Sequence, residues 1–421
     1  MISYLLRDLF PVRMEYRRRV EGIASETAQT FRAMIVSGPR QVGKTWLLSK
    51  LTERLGGYET VCLDDGGLLE LAKNDPRLFL QLHPGPLYVD EIQRAPELFP
   101  AMKMIVDASA RRGQFLMTGS QQFKMMKGAK ESLAGRVGIL KLFGLSKSEL
   151  EGRTDSAAFL PSLDAGDWTH GKAWDIHQVY DAIVKGGYPE CHAQPGLNVG
   201  RYFRSYIETY IERDIREMVD VANIALFRRF MQVCAARTGQ LLNYADLSRD
   251  AGISIPTART WISLLETSGL LMILHPYYNN LIKRATKTPK LYFTDTGLCA
   301  HLMGITSGKS AIESPLSGAL LETYVILEIC KSHWYTGTDA NFWFFRDGDG
   351  HEVDLLIEHE GGLYPIEVKR ASSVKASDVG RNFRVCRESC NPIVRTGGIV
   401  LVADKLGAVD AQTATIPVGF L

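Results

Sequence analysis

The chain has 421 residues, of which 45% are hydrophobic and 23% charged, and its 49 basic and 47 acidic side chains leave a net charge of +2. This composition excludes a disordered chain, and the length exceeds the needs of one ordinary core, so we expect about two to four domains. Since the net charge is close to zero, any surface for nucleic acid has to be local.

The N-terminal segment has Arg7 and Asp8 where a secretory signal needs apolar residues, and no apolar run approaches the roughly 18 to 20 residues of a membrane span. Seven scattered cysteines without a C-x-x-C pair predict reduced, buried thiols. We therefore expect a cytoplasmic protein with no membrane partner.

A phosphate-binding loop is predicted in "GPRQVGKT". The apolar run "AMIVSG" before it predicts a buried strand, and "WLLSKLTERL" after it suits a helix. Glycines allow backbone N–H groups to turn toward phosphate oxygens, and a helix N-terminus favours anions. We expect Lys44 to reach the β- and γ-phosphates of ATP, and Thr45 to offer its hydroxyl to Mg²⁺. The expected nucleotide contacts are Gly38, Pro39, Arg40, Gln41, Val42, Gly43, Lys44, Thr45 and Trp46.

The residues that would hydrolyse ATP are predicted at the ends of later strands. "PLYVDEIQ" ends in Asp90, which suits the Mg²⁺ ligand, and Glu91, which suits the base that polarises water. "QFLMTGS" ends in small polar residues, so Ser120 or Thr118 could sense the γ-phosphate. Arg136 begins another strand-like run and could act as an arginine finger, although a surface arginine remains the alternative.

These patterns predict an α/β fold. Strands alternate with helical stretches in the N-terminal part, so we expect a parallel sheet covered by helices on both faces, with nucleotide at the C-terminal ends of its strands. The predicted domains are an ATPase domain in 1–185, with a linker from about 151, a helical and winged-helix region in 186–290, and a smaller α/β domain in 291–421.

The middle segment contains the order of a winged helix-turn-helix. "RYFRSYIETYIERDIREM" predicts a packed amphipathic helix, and "YADLSRDAGISIPTARTWISLLETSGLLMILHPYY" predicts a helix, a turn, a second helix and a strand. Candidates for exposed residues on the second helix are Thr257, Arg259, Thr260 and Ser263, and a basic loop follows with Lys283, Arg284, Lys287 and Lys290. This local basic patch predicts contacts to DNA phosphates. The alternative is a module that contacts protein, with solvated lysines.

Two strands joined by a hairpin are predicted in "HEVDLLIEHEGGLYPIEVK". With Gly361-Gly362 as the turn, the expected cross-strand pairs are Ile357 with Ile366, Leu355 with Val368, and Asp354 with Lys369. The expected apolar face holds Val353, Leu355, Ile357, Tyr364, Ile366 and Val368. A slip by one residue would place apolar side chains opposite charges. The spacing therefore gathers Asp354, Glu367 and Lys369 on the opposite face.

Two carboxylates and a lysine suit metal-assisted phosphodiester cleavage. Asp354 and Glu367 could hold Mg²⁺ or Mn²⁺, Lys369 could orient the attacking water, and Glu322 from the helix "SGALLETYVILEI" could add a carboxylate. E-x-K on a strand is a weak signal by itself. An ordinary half-exposed hairpin with an Asp–Lys cross-strand pair is the alternative.

The ordered motifs resemble one family. "GPRQVGKT", "LYVDEIQRAPELF", "LMTGSQQF", "ESLAGR", "GGYPE", "TYIERDIREM", "LYFTDTGL" and "EVDLLIE…YPIEVK" are similar to prokaryotic AAA-type (AAA+) ATPases whose C-terminal domain of unknown function looks like a PD-(D/E)xK nuclease. The resemblance implies Lys44 and Thr45 as Walker A residues, Asp90 and Glu91 as Walker B, Ser120 as sensor and Arg136 as finger. It also implies Glu322, Asp354, Glu367 and Lys369 as a nuclease-like set.

Two functions are predicted from these features. The first is a Mg²⁺-dependent ATPase that binds duplex or branched DNA, controls a nuclease-like domain and forms a homo-oligomer in which Arg136 acts on a neighbour's nucleotide. The second is a nucleotide-dependent signalling switch that binds a protein partner and carries an inactive nuclease-like scaffold. A P-loop kinase is disfavoured by the adjacent acids Asp90 and Glu91.

Overall fold

A computed structural model of the protein describes residues 15–119, 132–164, 168, 171–211 and 224–421. Within these ranges, no helix is both long enough and apolar enough to cross a membrane. The described residues include three sheets, with five, six and three strands, surrounded by helices.

The first sheet is parallel and buried. Its strands are β1 (Ala33–Ser37), β2 (Glu59–Cys62), β3 (Leu87–Asp90), β4 (Phe115–Gly119) and β5 (Val137–Lys141). They lie in the order β2-β3-β4-β1-β5, and every neighbouring pair is parallel. Alternate residues of β1 enter two different hydrophobic clusters, with Met34 and Val36 in one and Ala33 and Ile35 in the other. Both faces are therefore covered, and the predicted α/β fold class is confirmed.

Helices connect these strands. They are α1 (Glu21–Thr30), α2 (Lys44–Leu55), α3 (Gly66–Asn74), α4 (Pro76–Leu82), α5 (Leu98–Ala108) and α6 (Lys147–Leu150). Local sequence explains several of their starts, because Asp65 and Asp75 accept hydrogen bonds from the free backbone N–H groups that begin α3 and α4. Helix α2 begins directly after Gly43, which places its N-terminus at the C-terminal end of β1.

The middle segment combines helices with a small antiparallel sheet. Its elements are α7 (Ile176–Lys185), α8 (Pro189–Ala193), α9 (Val199–Tyr206), α10 (Ile224–Ala236), β6 (Gln240–Leu241), α11 (Tyr244–Ala251), α12 (Ile255–Thr267), β7 (Leu271–Leu274), α13 (Leu281–Thr286) and β8 (Lys290–Phe293). The strands lie in the order β6-β8-β7. The first predicted helix of this segment runs through α9 and continues as a π-helix over Ile207–Ile211, beyond which its predicted residues lie outside the described part.

The predicted order of helix, turn, helix and strand is present. Gly252 ends α11 with φ +75°, and the Ser254 side chain accepts a hydrogen bond from the Thr257 N–H at the start of α12. The following segment differs from the prediction of one basic loop. It contains the short helix α13, and Lys290 is the first residue of a buried strand. Lys290 is therefore not a solvent-facing ligand for phosphates, because strand pairing with β6 and β7 places it in the interior.

The C-terminal part is built on a mixed six-stranded sheet. Its strands are β9 (Asn341–Arg346), β10 (Glu352–His359), β11 (Gly362–Lys369), β12 (Gly397–Leu401), β13 (Gly407–Asp410) and β14 (Thr413–Pro417), in the order β13-β14-β12-β11-β10-β9. The helices are α14 (Thr296–Leu302), α15 (Gly308–Glu313), α16 (Ser317–Trp334) and α17 (Ala376–Ser389). Helix α16 packs against β11, and α17 packs against β10.

The predicted hairpin exists, but its register was wrong by two residues. Leu355 lies opposite Ile366 and Ile357 lies opposite Tyr364, so the predicted pairs of Ile357 with Ile366, Leu355 with Val368, and Asp354 with Lys369 do not form. The turn residues are Glu360 and Gly361, with φ values of +46° and +69°, as a tight hairpin turn requires. Gly362 is instead the first residue of β11, where a Cβ atom would lie 2.8 Å from Cγ of Arg395. A shift of two residues preserves side-chain alternation, so parity did not detect it.

The predicted apolar face of β10 was also wrong at one position. Pairing with β9 is irregular between Val353 and Leu356. As a result Val353 and Leu356 share one hydrophobic cluster, whereas Leu355 and Ile357 enter another. On β11 the prediction holds, since Tyr364, Ile366 and Val368 all pack in the cluster that contains Leu355. The local bulge explains the error, because it adds a residue to one strand and interrupts alternation.

The three predicted segments share one hydrophobic cluster, which includes Leu47, Leu265 and Ile366. The irregular stretch predicted as a linker is packed rather than free. Phe159 is buried, and its backbone N–H donates to the Ser332 hydroxyl at 2.9 Å. The three segments therefore pack against one another in one hydrophobic core.

Candidate functional site

The loop that follows β1 has the backbone shape that its sequence predicts. Gly38 has φ +148° and Gly43 has φ +95°. A Cβ atom on Gly38 would lie 1.9 Å from the carbonyl oxygen of Leu142, so only glycine fits there. Gln41 also has a positive φ of +61°. Successive residues of this kind turn backbone N–H groups inward and form an anion-binding concavity.

Lys44 is buried at the start of α2. Its ammonium donates to the carbonyl oxygens of Gly38 at 3.0 Å and Pro39 at 2.7 Å. The side chain is thus folded over the loop, where a positive charge faces the position of a bound phosphate. The role of Lys44 toward the β- and γ-phosphates stays a prediction.

Thr45 and Asp90 meet at the carboxyl ends of the strands. The Thr45 hydroxyl donates to Asp90 Oδ1 at 3.2 Å and Oδ2 at 3.3 Å. The Tyr88 hydroxyl also donates to Asp90 Oδ1, at 3.1 Å, and Thr118 does so through its hydroxyl. A hydroxyl and a carboxylate side by side are hard oxygen ligands, so these residues fit a Mg²⁺ ion beside a nucleotide.

Glu91 directly follows this ligand. Its backbone is left-handed, with φ +59° and ψ +42°, which costs a residue with a side chain about 1–2 kcal/mol. Its carboxylate accepts a hydrogen bond from Gln93 Nε2, and its side chain lines the same cleft as Lys44 and Thr45. The strained turn aims Glu91 into the cleft while Asp90 remains on the strand. Gln93 was missed by the sequence analysis, although it lies two residues after a predicted catalytic acid.

A cleft of about 560 Å³ lies over the loop, a volume typical of small-ligand sites. The residues that line it come from the loop and the start of α2, from the segment before α1, from the segments that follow β3 and β5, and from α8; they are Glu15, Tyr16, Arg18, Arg40, Gln41, Gly43, Lys44, Thr45, Trp46, Glu91, Leu145, Pro189, Glu190 and Ala193. The middle segment therefore completes one wall of the predicted nucleotide site. The sequence analysis did not predict this wall, because its residues are distant in the chain.

Three distant segments hold the loop in place. Arg18 donates to the Val42 carbonyl oxygen at 2.7 Å, and the Tyr202 hydroxyl donates to Gln41 Oε1 at 2.7 Å. A Cβ atom on Gly269, just after α12, would lie 3.0 Å from Cδ of Pro39. The loop thus touches α9 and the end of the second helix of the helix-turn-helix.

The predicted sensor and finger have different outcomes. Ser120 lies outside the described residues, whereas the alternative Thr118 contacts Asp90. Arg136 pairs with Asp107 and precedes β5, whose first residue lies opposite the first residue of β1. From its first to its last residue β1 spans about 13 Å, at roughly 3.3 Å for each of four steps, so Arg136 lies at the end of the strands opposite the loop. It is not placed to act on the nucleotide of its own chain.

The predicted nuclease-like residues do come together. Lys369 Nζ lies 2.6 Å from Glu367 Oε1, and Asp354 Oδ2 accepts a hydrogen bond from the Val368 N–H at 2.8 Å. Burial, reinforced by the charges of Glu322 and Glu367, raises the pKa of Asp354 well above its usual value. Burial also raises the pKa of Glu367, against the opposing effect of Lys369.

The centre of this cluster holds a lysine that the sequence analysis assigned elsewhere. Lys290 Nζ lies 2.6 Å from Glu352 Oε1, 3.1 Å from Glu322 Oε1 and 3.9 Å from Asp354 Oδ1. Burial opposes the charge of Lys290, but the surrounding carboxylates raise its pKa above the usual value. Glu352 was missed, although its position two residues before Asp354 could have indicated it.

A divalent cation does not fit this arrangement. Of the two expected metal ligands, Asp354 Oδ1 lies 3.9 Å from the Lys290 ammonium and Glu367 pairs with Lys369. Glu322 contacts Lys290 and also accepts a hydrogen bond from the Tyr292 hydroxyl at 2.6 Å. A metal ion among them would lie against a buried positive charge. The expectation that Asp354 and Glu367 hold a metal stays a prediction, and the nearby Lys290 ammonium opposes it at Asp354.

The other predicted basic residues separate into two groups. Arg259 is exposed, with its guanidinium 4.2 Å from the centre of the Tyr244 ring, and Lys283 and Lys287 are exposed. Arg284 packs instead over Tyr277 at 4.0 Å and contacts Glu358. Its prediction as a DNA contact is corrected, because stacking and an ion pair hold its side chain against the C-terminal sheet.

Comparisons with known proteins divide the chain into three matched parts. Residues 30–151 match the family described as AAA domain, which confirms the predicted AAA-type domain. Residues 176–309 match Domain of unknown function (DUF8612), and residues 317–418 match Domain of unknown function (DUF4143). Neither of the last two descriptions assigns an activity.

Two curated relatives are the uncharacterized proteins Rv2008c of Mycobacterium tuberculosis and Mb2031c of Mycobacterium bovis. Each is 30% identical over 356 residues, which cover 82% of this chain and 71% of the relative. Among solved structures, the Walker-type ATPase PABY2304 of Pyrococcus abyssi has a TM-score of 0.43 and 16% identity, covering 70% of this chain and 99% of that one. The Holliday junction branch migration motor RuvB of Thermotoga maritima has a TM-score of 0.29 and 16% identity, covering 60% and 85%. These structural similarities are distant.

Proposed function

The chain belongs to the same protein family as Rv2008c and Mb2031c, and from its AAA domain and loop geometry we propose that it binds ATP with Mg²⁺ and hydrolyses it. The observation that carries this proposal is the meeting of Lys44, Thr45, Asp90 and Glu91 at one end of a parallel sheet. An acid at the last position of β3, Asp90, followed directly by a second acid, Glu91, favours hydrolysis over transfer to a small molecule.

Each residue of the site has a distinct part in the proposal. The loop amides and the Lys44 ammonium bind the phosphates, and the Thr45 hydroxyl and Asp90 carboxylate hold Mg²⁺, which neutralises charge on the phosphates when bound. Glu91 accepts a hydrogen bond from the attacking water and orients it toward the γ-phosphate. Gln93 steadies the Glu91 carboxylate through its side-chain amide.

Two substitutions test the ATPase separately from folding. Lys44→Ala removes the charge that faces the phosphates, so ATP binding should weaken at least about tenfold. Glu91→Gln keeps the shape but removes the base, so turnover should fall about 10²-fold or more while ATP still binds. Glu97→Gln, six residues later and exposed, is the matched control. Phosphate release and nucleotide binding measure the two effects. An unchanged turnover in Glu91→Gln would refute the assigned role.

We also propose that the helix-turn-helix and the segment after it bind DNA, duplex or branched. Arg259 on α12, together with Lys283 on α13 and Lys287 just after it, supports this proposal because all three are exposed cations. Their phosphate contacts would release counterions, which makes binding dependent on salt. DNA bound there should change the rate of ATP hydrolysis, because the helix-turn-helix contacts the nucleotide loop where Gly269 meets Pro39.

Replacing both lysines tests this surface. Lys283→Ala with Lys287→Ala should reduce the slope of log affinity against log salt by about 1.8 on duplex DNA, at roughly 0.9 per phosphate contact. The pair Lys73→Ala with Lys103→Ala, which removes the same charge from exposed sites on α3 and α5, should leave the slope unchanged. The proposal fails if duplex, single-stranded and branched DNA neither bind at low salt nor alter ATP hydrolysis.

A homo-oligomer is part of the proposal because Arg136 lies on the edge of the sheet away from its own loop. It could complete only the nucleotide site of a neighbouring subunit. Mixing Arg136→Ala chains with Glu91→Gln chains should restore hydrolysis above either alone, since each supplies what the other lacks. No recovery in a stable mixed assembly would exclude the finger role.

A second candidate is a nucleotide-dependent switch that binds a protein partner. The observation in its favour is that Leu281 and Ile282, beside the exposed lysines, are 72% and 74% exposed. An apolar pair of this kind suits a protein surface better than a phosphate backbone. Slow turnover, retained nucleotide and no DNA binding would favour the switch.

A further inference from the structure

Lys290 joins two parts of the fold that are far apart in the sequence. It begins β8 of the small sheet, and its side chain is 4% exposed. Its ammonium meets Glu322 from α16 together with Glu352 and Asp354 from β10. Three carboxylates from two elements thus converge on one internal cation that a third element supplies.

The convergence is more than an ordinary ion pair. A single carboxylate would balance one ammonium, yet three approach Lys290, and a fourth, Glu367, pairs with Lys369 on β11. Buried acids are costly to hold without cations. Arg346 also contacts Glu352, at 3.4 Å, so the four carboxylates of the cluster face three cations, Lys290, Lys369 and Arg346. Several hard oxygen ligands at one place are the composition of a site for a divalent cation.

Glu367 supplies an independent observation. Its side chain is 4% exposed, and Oε1 is bonded to Lys369. Its second oxygen, Oε2, is buried and has no hydrogen-bond partner among the described residues. An unpaired buried carboxylate oxygen is unusual, and it indicates capacity for a further cationic ligand.

We propose that Lys290 is an internal cation that excludes divalent metal from the cluster of Glu322, Glu352, Asp354 and Glu367, and that the same oxygens bind Mg²⁺ or Mn²⁺ once this ammonium is removed. The ammonium and the metal compete because both need the oxygens of Glu322 and Glu352. The lysine also ties the small sheet to the C-terminal sheet. This inference does not depend on nucleotide or DNA binding.

The alternative is that Lys290 and a metal bind together, as Lys369 would with Glu367. The distances oppose it, because Lys290 Nζ contacts two of the carboxylates within 3.1 Å and approaches the third at 3.9 Å. Lys369 is placed differently, since its carboxylate contact among the described residues is to Glu367 and its side chain is 39% exposed. Lys369 can remain beside a metal, whereas Lys290 occupies its position.

The test is a titration of nucleotide-free protein with Mn²⁺, in which the paramagnetic resonance signal of the free ion measures how much Mn²⁺ is bound. Lys290→Met keeps the length of the side chain and removes its charge, so the variant should bind Mn²⁺ at least about tenfold more tightly than the unaltered chain. Its melting temperature should rise with Mn²⁺ by several degrees, and that of the unaltered chain should not. Lys287→Met, three residues away and exposed, should gain no binding.

The increase in Mn²⁺ affinity should depend on the carboxylates of this cluster. Adding Glu367→Gln to Lys290→Met should abolish the new Mn²⁺ binding. Equal Mn²⁺ affinity in Lys290→Met and the unaltered chain would overturn the inference, as would a gain that survives Glu367→Gln.

A second measurement uses the unaltered chain and does not require the variant to fold. Acetylation with acetic anhydride, followed by mass spectrometry, should modify Lys290 at least about tenfold more slowly than Lys287, because only the former is held by carboxylates in the interior. If Lys290 reacts as fast as Lys287, the ammonium is not seated in the cluster and the inference is wrong.

Discussion

Gly269→Ala should weaken ATP binding from a position that is distant from the nucleotide loop in sequence. Gly269 has φ +76°, and a Cβ atom there would lie 3.0 Å from Cδ and 3.2 Å from Cγ of Pro39. The backbone conformation alone costs alanine about 1–2 kcal/mol of stability. The contact adds a displacement of Pro39, and we expect KM for ATP to rise about three- to tenfold, or about 0.7–1.4 kcal/mol.

Gly252→Ala provides a matched control for this effect. Gly252 ends α11 with φ +75°, so alanine suffers the same backbone strain. Its Cβ atom would come no closer than 4.0 Å to Arg229, far from the loop. Both variants should lose similar stability in urea unfolding, but only Gly269→Ala should change KM in a phosphate-release assay. If the two variants have the same KM, the contact between Gly269 and Pro39 does not affect ATP binding.

Two further predictions concern buried charges. Arg18→Met should destabilise the protein by about 3–5 kcal/mol, because the Glu149 carboxylate stays buried without the guanidinium that lies 2.9 Å from it. It should also weaken ATP binding, because the Val42 carbonyl of the loop loses its hydrogen bond. Urea unfolding measures the first loss and nucleotide titration the second. Burial lowers the pKa of His333 to about 4, below the unfolded value of about 6.5, so its contribution to stability is fully present above pH 6.5 and is lost as the pH falls from 6.5 through 4. At pH 5 this loss is about 2 kcal/mol. In His333→Gln, where glutamine can still donate to the Phe159 carbonyl, the free energy of unfolding should therefore differ between pH 7.5 and pH 5 by about 2 kcal/mol less than in the unaltered chain. An unchanged difference would contradict the assigned pKa.

Much of the ATP site could be predicted because its residues are contiguous. Gly38 to Thr45 form the loop by themselves, and a strand ending in Asp90 must lie at the same sheet edge as the loop. What the sequence could not supply is the support from elsewhere, such as Arg18 beneath the loop and Tyr202 beside it. These contacts depend on how distant helices pack, and no local spacing encodes them.

The C-terminal hairpin marks another limit of sequence patterns. Alternation identified the apolar side of β11, but a shift of two residues gives the same alternation, so the register stayed open. The bulge near Val353 interrupts alternation without any glycine to signal it. Gly362 was wrongly predicted as a turn residue, because a glycine needed for close packing against Arg395 cannot be told from a turn glycine in the sequence.

Lys290 and Lys287 show why charge in a sequence does not reveal its role. They are three residues apart and follow the same polar run, yet one is buried among carboxylates and the other is exposed. The difference arises because β8 begins at Lys290 and carries it into the interior beside α16 and β10. A lysine at the first residue of a strand can therefore link two sheets, while its neighbours before the strand remain available to a partner. The position at which β8 begins therefore decides which lysine is on the basic surface and which is the internal cation.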